Sequence, residues 1–289
     1  MQNNELTLAP EKTEAIALTG RKSVHAMTVN VIGKDVIACD NIKYLGVQIE
    51  RNLSWKCHIA AAATKAERTT MTLCKIMPKT GGPKTSTRRL LNSVVTSTLL
   101  YAAPAWVDGL RNAINRNRLL KTQRQMLLRV CCAYRTVGTN ALQVIASVPP
   151  IDLLAKERAY NYGSDNTSRI YNRRCLMDSW QVRWNNATDG YWTRQQIPVV
   201  AIWCKGSHGE LNYHLTQFLS EHGSFSHYHK RIGKKETDTC RYCPMPDTAE
   251  HTVCQFPRWA EERTTAASEV GEDIYVGNII AIMLEENTK

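Results

Sequence analysis

The stretch IKYLGVQIERNLSWKCHIAAAATKAERTTMTLCKIM, residues 42–77, changes its periodicity part-way along, and that change sets the fold class. Up to Glu50 it is β-rich, and KYLGVQIE (43–50) reads as a strand in which Gly46 marks a close approach to the backbone. From about residue 55 the period is helical: the chain is Ala-rich and free of Gly and Pro until Pro78. Before the switch, MTVNVIGKDVIAC (27–39) holds two β-rich runs around Gly33-Lys34, and Gly at the first turn position predicts a type II′ hairpin. After the switch the pattern is helical. TGGPK (80–84) is a break, and Ser86 precedes a helical run with Leu90, Leu91, Val94, Val95 and Leu99 before Pro104. A third helix covers about 113–134. There Leu119, Leu120, Met126, Leu127, Val130 and Cys131 share one face, with Arg111, Arg118 and Arg129 on the far side and Lys121 nearby. Pro150 and Asp152 open another helix. Trp180, Trp184, Trp192 and Trp203 read as core anchors, because Trp is costly to expose. The expected fold is α+β, mostly α.

At 289 residues the chain is long enough for one large domain or two smaller ones. MQNNELTLAPEK lacks the apolar core of a signal peptide. No run approaches the roughly 18 apolar residues of a spanning helix, so a soluble protein with no membrane partner is expected. Charge is concentrated. Residues 51–135 hold sixteen Lys or Arg against two acids, Glu67 and Asp108, a net of +14, while the rest of the chain carries −3. A block of one sign predicts a polyanionic partner, nucleic acid before an anionic membrane surface. The far end is acidic, with seven acids against two bases over 259–289, and reads as a partly frayed helical tail.

Of ten cysteines, Cys39, Cys57, Cys74, Cys131, Cys132, Cys175 and Cys204 read as reduced, mostly buried thiols inside a cell. The other three join a histidine in TDTCRYCPMPDTAEHTVCQFPRWAEER (237–263), as C-x2-C-x7-H-x2-C. Cys-x2-Cys presents two thiolates to one zinc ion, and a His with a fourth ligand closes a structural tetrahedron. The candidate ligands are Cys240, Cys243, His251 and Cys254. Four protein ligands leave no open position, and no HExxH helix is present, so a catalytic zinc is disfavoured.

Several blocks together resemble one family. LAPEKTEAI (8–16) and IKYLGVQIERNLSWKCHI (42–59) resemble the end of a reverse transcriptase palm in non-LTR (LINE-type) retrotransposons, and VPPIDLLAKERA (148–159) a segment beyond the thumb. SWQVRWNNATDGYWTRQQIP, HGELNYHLTQFLSEHGSFSHYHKR, the Cys/His cluster and PRWAEER follow in the order of the insect type-1 elements that insert into ribosomal RNA genes. The resemblance implies the C-terminal piece of a Pol polyprotein: palm end (1–54), basic helical thumb (55–135), Trp-rich helical connector (136–236), zinc knuckle (237–263) and acidic tail (264–289). It implies an RNA-directed DNA polymerase that also carries an endonuclease and acts in the nucleus at the insertion site. Its partners would be an RNA template, a DNA primer or target, and the remainder of the polyprotein upstream.

By that resemblance Lys12 stands on the pyrophosphate side of the catalytic turn. Lys43, Tyr44, Leu45, Gly46 and Val47 form the primer-grip strand, with Gly46 facing the primer end. The candidate nucleic-acid contacts are Arg88, Arg89, Arg111, Arg118, Lys121 and Arg129 on the thumb, and Arg241, Tyr242 and Arg258 on the knuckle. The chain contains no Asp-Asp pair, so the carboxylates that hold magnesium in the full-length polymerase are missing and the chain alone is expected to be inactive. The family places the last cysteine directly before Pro-x-Trp. Here Phe256 holds that place and Cys254 stands two residues earlier. Three possibilities stay open: the site accepts His-x2-Cys, this copy is degenerate, or His229 substitutes. The competing functional readings are a stand-alone zinc-dependent RNA- or DNA-binding protein and a purely structural or interaction protein.

Overall fold

Two tight hairpins lead into a helical assembly. The computed structural model describes residues 9–20, 27–206 and 210–285, so the motif residues Leu8, His208 and Gly209 lie outside it. A 3₁₀ turn, Pro10–Lys12, precedes β1 (Ala15–Ile16). β2 (Thr28–Val31) and β3 (Lys34–Cys39) pair antiparallel, and β1 joins β3 in parallel, giving the order β1-β3-β2.

Because Val31 pairs with Lys34, the first turn is Ile32-Gly33 rather than Gly33-Lys34. Both residues have positive φ, 50° and 77°, which makes it type I′ instead of the expected II′. Asn30 offsets the strain at Ile32: its side chain accepts the Gly33 N–H at 3.1 Å and donates to Asp35 at 2.7 Å. KYLGVQIE is likewise not one strand. β4 (Asn41–Tyr44) and β5 (Val47–Glu50) fold back on each other around Leu45-Gly46, with φ of 46° and 82°, a second type I′ turn.

Thirteen helices follow among the described residues: α1 (Lys56–Cys74), α2 (Thr85–Leu99), α3 (Ala103–Trp106), α4 (Ala113–Val130), α5 (Thr139–Ile145), α6 (Ile151–Tyr160) and α7 (Asn166–Asn185) come first. Then come α8 (Tyr191–Gln196), α9 (Val200–Lys205), α10 (Tyr213–Ser220), α11 (Ser226–Arg231), α12 (Ala260–Val270) and α13 (Ile279–Glu285). A 3₁₀ segment, Val107–Arg111, precedes α4, and a π-turn, His251–Gln255, precedes α12. Helix starts are satisfied locally by Asn112 at α4, Asp165 at α7 and Asn212 at α10, each accepting a first-turn N–H. Two are capped from elsewhere. Glu50 of β5 accepts the Cys57 N–H and the Ser54 hydroxyl at the start of α1. Glu210 accepts the Thr85 N–H at the start of α2 across 125 positions of sequence.

One contiguous apolar core runs from Val47 to Ile280. α4 buries Leu119, Met126, Leu127 and Val130 and leaves Leu120 half-buried, as its stripe predicts. α2 departs from expectation: Val95 and Leu99 are buried, but Leu90 and Val94 are exposed. Trp180, Trp184 and Trp203 are fully buried and Trp192 partly so, and each of the last three donates its indole N–H to a backbone carbonyl. Asp152 is a buried anchor rather than only a helix-end charge, gripped in bidentate fashion by Arg183 at 2.7–2.8 Å. The acidic tail does not simply fray, because IIAIML gives α13 an apolar face that buries Ile280 and Ile282. The cysteines are all free, yet only Cys131 and Cys132 are buried, and Cys39 is exposed. Among the described residues, no single helix is long and apolar enough to cross a membrane.

Candidate nucleic-acid interface and metal site

The β4–β5 hairpin lies against the start of α1 and the end of α2. Val47 enters the core, while Tyr44 and Leu45 at the tip are 61% and 75% exposed, so Tyr44 is not a core residue. The Tyr101 hydroxyl donates to the Leu45 carbonyl at 2.8 Å. A Cβ at Gly46 would stand 3.5 Å from the Tyr101 ring, an ordinary contact, so what calls for glycine here is its φ of 82° in the turn and not the expected close approach. Between hairpin, α1 and α2 lies a groove of about 810 Å³. Its helical walls are small, with Ala61, Ala62, Ser93, Ser97 and Thr98, and Lys43 and Lys65 line it as well. Neither lysine forms an ion pair among the described residues. His58 is buried beneath, its Nδ1 facing the Gln48 N–H at 3.4 Å, and burial lowers its pKa.

On the other flank of α1, Arg118 and Lys121 of α4 are exposed and line a second groove of about 490 Å³ with Thr64 and Glu67. The crest between the two grooves is the outward face of α1, where Thr64, Lys65, Arg68 and Thr72 are exposed. Cations therefore stand on the crest and on both flanks.

Several candidate cations are held elsewhere. Arg88 is 2% exposed and donates to the carbonyls of Pro78, Pro83 and Arg129, so it is a structural residue and not a phosphate contact. Arg89 is half-buried against Ser147. Arg111 lies ahead of α4, paired with Asp108 at 2.9 Å. Arg129 is half-buried, and Lys79, over the Tyr134 ring, has its pKa lowered by burial and by Arg129. Arg124 is pinned to the carbonyls of Arg135 and Val137. Lys12 is exposed in its 3₁₀ turn.

The Cys/His segment starts as a narrow loop. Thr239 bridges Pro246, and the Cys240 N–H donates to the Met245 carbonyl at 2.8 Å, which folds Cys240 and Cys243 toward each other. Asp247 ties the loop to α11 by accepting the Ser226 N–H and hydroxyl, and its second oxygen accepts from Thr252. His251 is 3% exposed, with Nε2 at 3.1 Å from Cys243 Sγ and Nδ1 buried without a hydrogen-bond partner. The donor atoms of Cys240, Cys243 and His251 all lie within 4.8 Å of one another. Two thiolates and an imidazole at that separation fit a tetrahedral ion, whose edges are roughly 3.5–3.8 Å for ordinary Zn–S and Zn–N lengths.

Cys254 is outside this group, as is His229. The reason lies in the backbone. In an α-helix His251 and Cys254, three apart, would share a face. The wider π-turn, closed by Phe256 N–H to the His251 carbonyl at 2.7 Å, rotates them apart. Phe256 packs its ring 5.8 Å from His251 and 5.5 Å from Tyr242. Arg241, Tyr242 and Arg258 are exposed around the site. A cavity of about 410 Å³ beside it is lined by Tyr213, Phe218, Arg241, Tyr242 and Phe256. Tyr213 and Phe218 were not among the expected contacts, since nothing in their spacing links them to the cluster.

No family model and no solved structure matches the chain. Curated proteins do. A putative 115 kDa protein in the type-1 retrotransposable element R1DM of Drosophila melanogaster is 26% identical over 279 residues, covering 89% of this chain and 27% of that protein. A retrovirus-related Pol polyprotein from the type-1 element R1 2 of Nasonia vitripennis is 23% identical over 279 residues, covering 86% and 68%. The corresponding R1 polyprotein of Bradysia coprophila is 22% identical over 277 residues, covering 87% and 27%. The chain thus spans about a quarter of the Drosophila and Bradysia relatives.

Proposed function

From its relation to the Pol polyproteins of type-1 R1 retrotransposable elements, we propose that this chain is the nucleic-acid-holding part of a non-LTR reverse transcriptase. The observation that carries the reading is the α1 crest, with Lys65 and Arg68 on the ridge, Lys43 on one flank and Arg118 and Lys121 on the other. A ridge with cations to either side suits the wide, shallow minor groove of an A-form RNA–DNA duplex, whose two phosphate lines then meet both flanks. The β4–β5 tip stands at the mouth of the hairpin groove, where a primer end would lie. In this reading, residues 55–135 act as a thumb, and the catalytic carboxylates with their magnesium belong to the rest of the polyprotein, as does an endonuclease. The chain alone holds template and primer without extending them, in the nucleus where the element inserts.

The Cys240–Cys243–His251 group fits zinc, which when bound would fix the loop and present Arg241, Tyr242 and Arg258 to RNA or DNA. A stand-alone zinc-dependent nucleic-acid-binding protein is the alternative, and the polyprotein relatives weigh against it. The test is substitution of the crest. Lys65→Ala with Arg68→Ala should weaken binding to an RNA–DNA duplex while the far-UV circular dichroism melt is unchanged. Unaltered duplex affinity would remove the crest from the interface.

A further inference from the structure

A second cleft, of about 1010 Å³, lies beyond the hairpin groove and shares Ser97 and Tyr101 with it. Its floor is the connection from α2 to α3, with Leu100, Ala102 and Pro104, and its far wall is the corner between α6 and α7. That corner presents Arg158, Tyr162 and Arg169. Tyr162 is 79% exposed and Tyr101 53% exposed, so two aromatic rings face a cleft that no other part of the described chain fills. Both arginines are exposed, and neither forms an ion pair among the described residues. The corner is held in shape: Asn172 of α7 donates to Asn161 at 2.9 Å. Beyond it the first half of α7 stands almost wholly in solvent, as does Gly163 in its left-handed turn.

We propose that this cleft is a binding channel for single-stranded nucleic acid, continuous with the duplex groove at Tyr101, in which Tyr101 and Tyr162 stack unpaired bases and Arg158 and Arg169 meet the backbone. The proposal rests on the duplex reading above for its neighbour and extends it to the strand that leaves the duplex. The choice of a single strand follows from the rings. In a duplex, bases cover one another's faces, so an exposed tyrosine offers them little. Unpaired bases have free faces, and stacking on an aromatic side chain holds them with little regard to sequence. The charge is of the matching sign, and the shared Ser97 and Tyr101 set the two grooves side by side, so that a strand leaving one meets the other.

Fluorescence anisotropy with labelled oligouridylate and, separately, with a blunt RNA–DNA duplex tests this. Tyr162→Ala should weaken oligouridylate binding by roughly tenfold and leave the duplex unchanged, and Tyr162→Phe should restore it. Arg158→Ala with Arg169→Ala should weaken the single strand and flatten its salt dependence. Equal oligouridylate affinity in wild type and Tyr162→Ala overturns the proposal, even with duplex binding intact. Failure of the wild type to bind duplex, with Tyr162-dependent oligouridylate binding retained, would strike the duplex reading and leave the channel standing.

Discussion

Three backbone carbonyls converge on the guanidinium of Arg88, which therefore holds the break after α1 to the start of α2 and the end of α4. Arg88→Ala strands those acceptors and opens a cavity, and should cost about 2–4 kcal/mol in urea unfolding. Arg118→Ala, at an exposed position, should cost almost nothing. At the metal site, Cys243→Ser should abolish stoichiometric zinc, measured by mass spectrometry or a chromophoric chelator, whereas Cys254→Ser should leave it intact. Phe256→Cys would place a thiol beside His251, and we expect it to tighten zinc against the chelator. Zinc loss in Cys254→Ser equal to that in Cys243→Ser would contradict the three-ligand geometry. His222 stacks on Tyr228 and meets Thr136, and burial with the nearby Arg231 lowers its pKa to about 4. Its unfolded form takes up a proton first, so its part of the stability is whole above about pH 6.5 and is lost toward about pH 4. His222→Gln should flatten that part of a stability-against-pH curve.

The helices were legible wherever an apolar period ran long enough, as on α4, where the sequence stripe and the buried face coincide. Turns were not. Gly33 announces a bend, but Gly46 reads as part of a strand, and the partner at positive φ is Ile32 in one turn and Leu45 in the other, residues whose chemistry argues against that conformation. Pairing registers decided those turns, and registers are long-range facts. The π-turn at His251–Gln255 was equally silent, because one added residue in a turn leaves no compositional mark. The cap of α2 is similar: Lys84 offers no side-chain cap, and Glu210 supplies it from a distant segment. Glu210→Ala should therefore cost about 1 kcal/mol, read as a shift in the urea midpoint. Glu50 and Glu210 both titrate below the ordinary carboxylate value. At Glu50, burial pushes the pKa up, but hydrogen bonds from Cys57 and Ser54 outweigh it; at Glu210 the Thr85 N–H dominates. Their contribution is thus present above about pH 4.5 and lost as pH falls through the lower folded values. The Glu210→Ala variant should show a smaller acid loss than wild type.

Across the whole molecule, the +14 block was the part of the candidate interface most plainly written in the sequence, and it needed the structure to be sorted. Arg88 and Arg124 are held by carbonyls and Lys79 lies half-buried, while Lys43, Lys65, Arg68, Arg118 and Lys121 remain around the α1 crest. Lys43 lies outside the block, and only folding brings it to the others. Arg158, Tyr162 and Arg169 went unnoticed because they lie beyond the basic segment, although a run of tyrosines and arginines from Tyr160 to Arg174 was there to be read. If the crest and its flanks grip a duplex through its phosphates, binding must release counterions and weaken with salt. The decisive measurement is the affinity of the intact chain for an RNA–DNA duplex across a salt series, compared with Arg118→Ala/Lys121→Ala. The log–log slope should be steep in wild type and shallower in the variant by roughly 0.9 for each phosphate no longer neutralised. Identical slopes in the two proteins would refute the crest as a phosphate-binding surface.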